Sequence, residues 1–341
     1  MDYKDSIVTK LHANMADLTI EKIGKIGLEN AENNMSHILY GKSVLKLRET
    51  NIYQSNKALV IAAGPSLHRY DFAKIIKESC YDGMIITTES SMSWCLRNNI
   101  KPDLVVTVDP HPERIVRWFG DPDLTIEKIK DDDYFSRQDM DPEFINNQYS
   151  FNSDLVELVN KSGHGINIAI SSSASSAVVN RAIDSGMNIY WWNPYYDDFD
   201  AGQSLTRTLY DSNHLPCINA GGNVGTAAWV IAHSVLDIKN IGLLGFDFSY
   251  YADTTYKQTQ YYNELLDIFG VNNIDKAFMR FMNPQTNTEF FTDPAYYWYR
   301  ESFLEMAAMA SADGVKTFNL TNGGILFGEN IILSSLKEFM K

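Results

Sequence analysis

Asp109 ends the apolar run at 104–108 and precedes Pro110-His111-Pro112-Glu113, and Asp247 follows the run at 241–245 in the same way. A carboxylate at the carboxyl end of a parallel strand overhangs the crevice where α/β sheets bind ligands. There it can hold Mg²⁺, accept from a ligand hydroxyl, or simply cap the segment that follows. His111 can serve as a general base or a phosphate partner, or be a plain surface histidine. Gly64-Pro65-Ser66-Leu67 closes another apolar run, at 58–62. Glycine permits the sharp turn, proline fixes it, and Ser66 can cap the next helix or donate to a phosphate. Backbone N–H groups at such a turn face the strand's carboxyl edge, where anions bind. The turn is no dinucleotide fingerprint, because GxGxxG is absent. It is no P-loop, because no Gly-Lys-Ser/Thr follows.

Other loops share this placement. Glu89-Ser90 follows the apolar stretch at 84–88. Ser171–Ser176, with Ser172 inside it, follows 166–170. Ala220-Gly221-Gly222-Asn223 leads into a long helix. Each can be read as a phosphate cradle or as helix capping and close packing. Together they fit one nucleotide-like ligand better than a set of independent turns.

The elements that must position these residues are strands alternating with helices every 20–25 residues or so, the pattern of βαβ units in a parallel sheet. The strands are apolar throughout, as strands covered on both faces should be. Helical spacing of Ile7, Leu11, Met15 and Leu18, then Ile23, Ile26 and Leu28, marks an N-terminal helical extension over 1–54. Residues 55–341 form the main domain. The segment 120–150, with Asp131-Asp132-Asp133, reads as an acidic surface insertion. The Tyr- and Phe-rich stretch 250–312 reads as a helical insertion or lid. Val315–Asn319 gives a last strand, and 330–340 a closing helix.

The chain has 341 residues, 29 Lys and Arg against 43 Asp and Glu, and a formal charge of −14. That balance argues against a broad grip on nucleic acid or on an anionic membrane. No apolar run is long enough for a membrane span. Three cysteines without metal spacing, and an N-terminus without a signal-peptide core, suggest a reducing, cytoplasmic setting. A homo-oligomer is compatible with the sequence.

The motifs taken as a set resemble a known family. Ala62-Ala63-Gly64-Pro65-Ser66-Leu67, Ile100-Lys101-Pro102-Asp103 and Val106-Thr107-Val108-Asp109-Pro110 match the order and spacing of the 6-hydroxymethylpterin diphosphokinase-like proteins. That family also contains the flagellar motility accessory factors, read as nonulosonate glycosyltransferases. The segments at 221–232, 241–248 and 319–324 look like its later blocks, so the resemblance runs over about 55–330. The Gly-Pro-Ser-Leu turn is also similar to that of sialyltransferases using CMP-sialic acid.

The resemblance implies a Rossmann-like α/β domain with a mostly parallel sheet, of the glycosyltransferase-A kind. Carried over, Gly64, Pro65, Ser66 and Leu67 would line a nucleotide site. Glu89 and Ser90 would lie near ribose or base, and Asp109 would face the phosphates. Ser172, Gly221, Gly222 and Asn223 complete the expected nucleotide site, and Thr321, Gly323 and Gly324 are expected near the substrate. Ala62 stands where the family usually has glycine, and the motility factors are much longer chains.

The first functional expectation is a glycosyltransferase with a nucleotide-sugar donor, a CMP-nonulosonate, acting on a glycan or protein acceptor. His111 or Asp247 would be its base, with Asp109 as the third catalytic candidate. The alternative is a 6-hydroxymethyl-7,8-dihydropterin diphosphokinase using ATP and Mg²⁺, with Asp109 and Asp247 at the metal and Arg114 or Arg117 as the cation. A non-catalytic nucleotide- or sugar-binding protein is the third class.

Overall fold

A computed structural model describes residues 23–50, 55–111, 115–131 and 142–341. Ten strands build the main sheet: β1 (Lys42–Ser43), β2 (Lys57–Ile61), β3 (Met84–Thr88), β4 (Leu104–Thr107), β5 (Asn167–Ser171), β6 (Asn188–Pro194), β7 (Cys217–Ile218), β8 (Asn240–Leu244), and, after an insertion, β12 (Lys316–Asn319) and β13 (Ile331–Leu333). Their order is β1-β6-β5-β4-β3-β2-β8-β12-β13, with β7 beside β6. Every pairing in it is parallel. This is the Rossmann-like α/β architecture that the alternation and the resemblance predict.

The strand order reverses at β2. The chain steps outward from β2 through β3, β4 and β5 to β6, then returns to place β8 on the other side of β2. A parallel sheet opens a crevice at such a reversal, beyond the carboxyl ends of the two strands.

Both faces of β2 are covered, which is why its sequence reads as continuously apolar. Ala58 and Val60 pack into the layer of Trp229 and Phe303. Leu59 and Ile61 face Leu67, Phe72 and Leu336 on the other side. A third cluster, around Phe119, Ile168, Ile170 and Val178, fills the space beside β4, β5 and β6.

Four helices matter for the site: α1 (Lys25–Asn34), α2 (Glu89–Arg97), α3 (Val224–Val230) and α4 (Pro294–Ala312). The stretch before β2 carries more than helix. Lys42–Ser43 pairs with β6, and Val44 and Leu47 are fully buried in the core. Ile7, Leu11, Met15 and Leu18 of the expected arm, together with Asp132 and Asp133, lie outside the described residues.

The 250–312 insertion contains the expected helices, Tyr262–Phe269 and α4. It also contains a three-stranded antiparallel sheet of β9 (Tyr250–Tyr251), β10 (Met279–Met282) and β11 (Glu289–Thr292). The closing segment likewise differs from the helix expected over 330–340. Ile331–Leu333 is an edge strand, and the final helix, Leu336–Phe339, starts at a capping box between Ser335 and Glu338. Three successive aliphatic residues before a capping serine mark the boundary.

Candidate functional site

Hydrogen bonding between β2 and β8 continues past the strands into their loops. Ala62 N–H donates to Leu244 O at 2.8 Å, and Gly64 N–H to Gly245 O at 3.0 Å. The two loops are therefore pressed together, and Asp247 fills the junction. It is 2% exposed. Its Oδ2 accepts from the Ser66 hydroxyl at 2.7 Å and from the Ser66 N–H at 3.3 Å.

Glycine makes room for this acid. A Cβ on Gly64 would collide with Asp247 Oδ2 and the Gly245 carbonyl, and one on Gly324 would sit 2.6 Å from Asp247 Cα. Gly245 and Gly324 also hold φ of +74° and +70°, a region costly for residues with a Cβ. Burial pushes the Asp247 carboxyl up to about 7, and the bonds from Ser66 hold it back.

Asp109 sits differently. It is half-buried at the mouth of β4, and its Oδ1 accepts from the His111 N–H at 2.8 Å. Beside it, Glu89 opens α2. Glu89 is 5% exposed, and its Oε2 has no hydrogen-bond partner. Burial lifts its carboxyl to about 8, and the charge of Asp109 adds to the shift.

One cleft of about 930 Å³ unites these loops, within the size range of small-ligand sites. Gly64, Pro65, Glu89, Ser90, Asp109, Gly221, Gly222, Asn223 and Asp247 all line it. The loops at 63–67, 109–111 and 220–226 thus converge at the carboxyl edge of the sheet. Within the last of these, Asn223 caps α3 by accepting the Thr226 N–H at 2.9 Å. Gly222, at φ +83°, makes room for the insertion: a Cβ there would lie 2.7 Å from Trp298 and 2.8 Å from Tyr299.

The opposite wall of the cleft is aromatic. Tyr250, Tyr261, Tyr296, Trp298 and Tyr299 contribute ring surface from the insertion. Their hydroxyls are largely tied to one another and to neighbours. Tyr261 and Tyr299 share a hydrogen bond at 3.1 Å, Tyr296 donates to Gln260 at 2.6 Å, and Tyr250 donates to Asp293 at 3.2 Å. Tyr250 and Tyr296 stack at 5.4 Å. The wall offers ring faces more than polar handles.

Several expected site residues stand behind the cleft instead of on it. Ser66 and Leu67 are buried, with Ser66 committed to Asp247. Ser172 is fully buried and donates to Asn193 Oδ1 at 2.6 Å. Thr321 Oγ1 accepts the Phe246 N–H at 3.2 Å, and Gly324 backs Asp247, so the 321–324 turn supports the β8 loop from beneath. His111 and Arg117 are not among the lining residues. Arg114 lies outside the described residues.

Sequence reasoning passed over Tyr195, Tyr196, Asn219, Trp118, Gln258 and Gln260, all of which line the cleft. The signal for the first two was present: Pro194-Tyr195-Tyr196 follows a strand, as the other site loops do. No lysine or arginine is among the described residues that line the cleft. No group of three metal-ligating side chains occurs among the described residues.

The profile of the family described as "6-hydroxymethylpterin diphosphokinase MptE-like" matches residues 29–119. That segment holds β2, β3 and β4 with Gly64, Glu89 and Asp109 at their ends. Over that segment the chain is similar to that family. The solved structure of MAf glycosyltransferase from Magnetospirillum magneticum AMB-1 aligns with a TM-score of 0.50 at 13% identity, over 83% of this chain and 34% of that one. The chain spans about a third of that protein's length, and the likeness is one of fold. No curated protein matches. Both matches carry transferase descriptions, and the family match falls on the diphosphokinase side of the two enzyme readings. Among the described residues no helix is long and apolar enough to cross a membrane.

Proposed function

We propose that the chain is a Mg²⁺-dependent, nucleotide-binding transferase that moves a diphosphoryl group from ATP to 6-hydroxymethyl-7,8-dihydropterin. The observation that carries the reading is the set of carboxyl groups in the cleft, of which Glu89 and Asp109 are neighbours. Glu89, Asp109 and Asp247 supply carboxyl groups, and no described lining residue supplies a cation. A polyphosphate enters such a site with a divalent cation.

The donor set fits that ion. Mg²⁺ needs one or two protein carboxylates, with phosphate oxygens and waters for the rest. Asp109 is accessible, and the adjacent Glu89 keeps an unpartnered oxygen. These two would hold Mg²⁺, whose chemistry here is to neutralise charge on the transferring phosphates.

The protein's own residues do the rest. The N-terminus of α2 faces the cleft at Glu89 and Ser90, and its dipole favours phosphate. Asp247, tied to Ser66, fixes the β2–β8 junction that forms the floor. The aromatic wall stacks a planar ring and excludes water from it. The acceptor oxygen bonds to the β-phosphorus, the bond from that phosphorus to the α-phosphate oxygen breaks, and AMP leaves. The hydroxyl proton passes to a cleft carboxylate.

A second reading, glycosyl transfer from a CMP-nonulosonate, is favoured by the fold shared with the MAf glycosyltransferase and by ring faces that also suit a sugar. Chromatography of reaction mixtures separates the two. With ATP, Mg²⁺ and the pterin, the first reading expects AMP and pterin diphosphate in equal amounts. Release of CMP from a CMP-nonulosonate, with ATP left intact, would replace it by the second. Nucleotide binding with neither product would make the chain a binding module.

A further inference from the structure

Helix α1 lies across the carboxyl ends of β4, β5 and β6, and two of its asparagines reach into the loops there. Asn30 Nδ2 donates to the Pro110 carbonyl at 2.8 Å and to the Ser173 carbonyl at 2.9 Å. One turn on, Asn34 is fully buried and donates from Nδ2 to Ser172 O at 2.9 Å and Ala174 O at 2.7 Å. Gly27 is buried, and a Cβ there would collide with the Tyr196 hydroxyl on the cleft wall. Ile23, just before the helix, lines the cleft itself.

The two asparagines do different jobs. Asn34 bonds only within the loop after β5. Asn30 joins that loop to the one after β4, which carries Asp109. β4 ends at Thr107, so Asp109 and Pro110 have left the sheet ladder. The turn bond from His111 N–H to Asp109 is local, whereas the Asn30 bond ties the loop to a separate element 80 residues away.

We infer that α1 is a positioning element for the cleft, and that Asn30 is the positioning residue through which it sets the stance of Asp109. The inference rests on the reading of Asp109 as the metal-facing carboxylate. Asn30 is not among the residues that line the cleft. It spans two carbonyls with the two donors of one amide, and so fixes the distance between the loops. Without it the Asp109 turn can splay. Mg²⁺ suffers most from that freedom, because it demands near-ideal octahedral geometry, whereas stacking of a base tolerates small shifts.

The test is calorimetric titration of ATP, with Mg²⁺ or with EDTA, into the wild type, Asn30→Ala, Asn34→Ala, Asp109→Asn and the Asn30→Ala/Asp109→Asn double variant. Thermal unfolding is followed in parallel. Asn30→Ala is expected to lose about tenfold in affinity with Mg²⁺, the scale of one or two lost hydrogen bonds, and little with EDTA. The double variant is expected to match Asp109→Asn alone, since both changes act through one contact. Asn34→Ala is expected to unfold at lower temperature and to keep the wild-type ratio of Mg²⁺ to EDTA affinity. Asn30→Ser keeps a single shorter donor, and is expected to show the same selective loss if the alanine variant is too unstable to titrate. If Asp109→Asn itself leaves the Mg²⁺ ratio unchanged, the reading of Asp109 fails. If Asp109→Asn lowers the ratio while neither Asn30 variant does, or if Asn30→Ala and Asp109→Asn add independently, α1 has no positioning role.

Discussion

Asp109 and Asp247 are twins in sequence, each closing an apolar strand, yet the fold gives them opposite surroundings. Asp247 is enclosed by Gly64, Gly245 and Gly324 and bonded to Ser66 across the β2–β8 junction. Asp109 sits half-buried at the mouth of β4, with one oxygen engaged by its own turn. The difference arises from the strand order. β2 and β8 are neighbours, so their loops interlock and an acid between them becomes part of the frame. β4 lies two strands from β2, away from that junction, and Asp109 stays half-buried on the cleft wall. A strand-end carboxylate held between two interlocked loops braces the frame, and one on a single loop stays partly accessible.

The strongest way to break this contrast is to fill the seam. Gly64→Ala drives a methyl into Asp247 and the Gly245 carbonyl, and is expected to cost about 3 kcal/mol or more, as steric strain in a packed junction does. Urea unfolding measures it, and a loss below about 1 kcal/mol would mean the seam is loose.

Ser66→Ala comes next. It leaves Asp247 without its hydroxyl partner, and about 1–3 kcal/mol of stability is expected to go. Ser66 does not line the cleft, so nucleotide affinity should hold once the protein is folded. Loss of affinity at unchanged stability would return Ser66 to the ligand site.

Acid–base behaviour sharpens the comparison further. The folded-state value for Asp247 is raised, to about 7. The native chain therefore keeps a proton that the unfolded chain releases near pH 4. Its stabilising share is fully present below that pH and is lost as pH rises through about 7. Asp247→Asn should flatten the decline of stability over this window, leaving the shares of Glu89 and Asp293, which are also raised. A variant whose pH profile parallels the wild type would show Asp247 to be ionised in the native state.

The smallest effect belongs to Asp109→Asn, which should change stability by less than about 0.5 kcal/mol, the usual range for a site with few packing partners. A larger loss would make Asp109 a second frame acid.

Much of this frame is legible along the chain. The alternation of apolar runs and helices predicts the parallel sheet, and the strand-end loops predict which residues meet. Partnerships across long separations are not legible. Ser66 and Asp247 stand 181 residues apart, and nothing near Ser66 indicates that its hydroxyl turns inward. Ser172 is lost to Asn193 for the same reason. Gly221-Gly222 reads as a ligand cradle, but the atoms that require Gly222 belong to Trp298 and Tyr299. The β10–β11 hairpin escapes a helical reading of the insertion because its aromatic residues pack across strands, a tertiary preference instead of a local one.

Asp109 is proposed to face a metal-bound polyphosphate in the cleft. Calorimetric titration of ATP into wild type and Asp109→Asn, each with Mg²⁺ and with EDTA, tests it most directly. The wild type is expected to bind ATP tightly and in a Mg²⁺-dependent way. In Asp109→Asn, affinity with Mg²⁺ should fall towards the EDTA value with the unfolding temperature unchanged. Equal affinity for ATP in Mg²⁺ and EDTA, in wild type and variant alike, would contradict it.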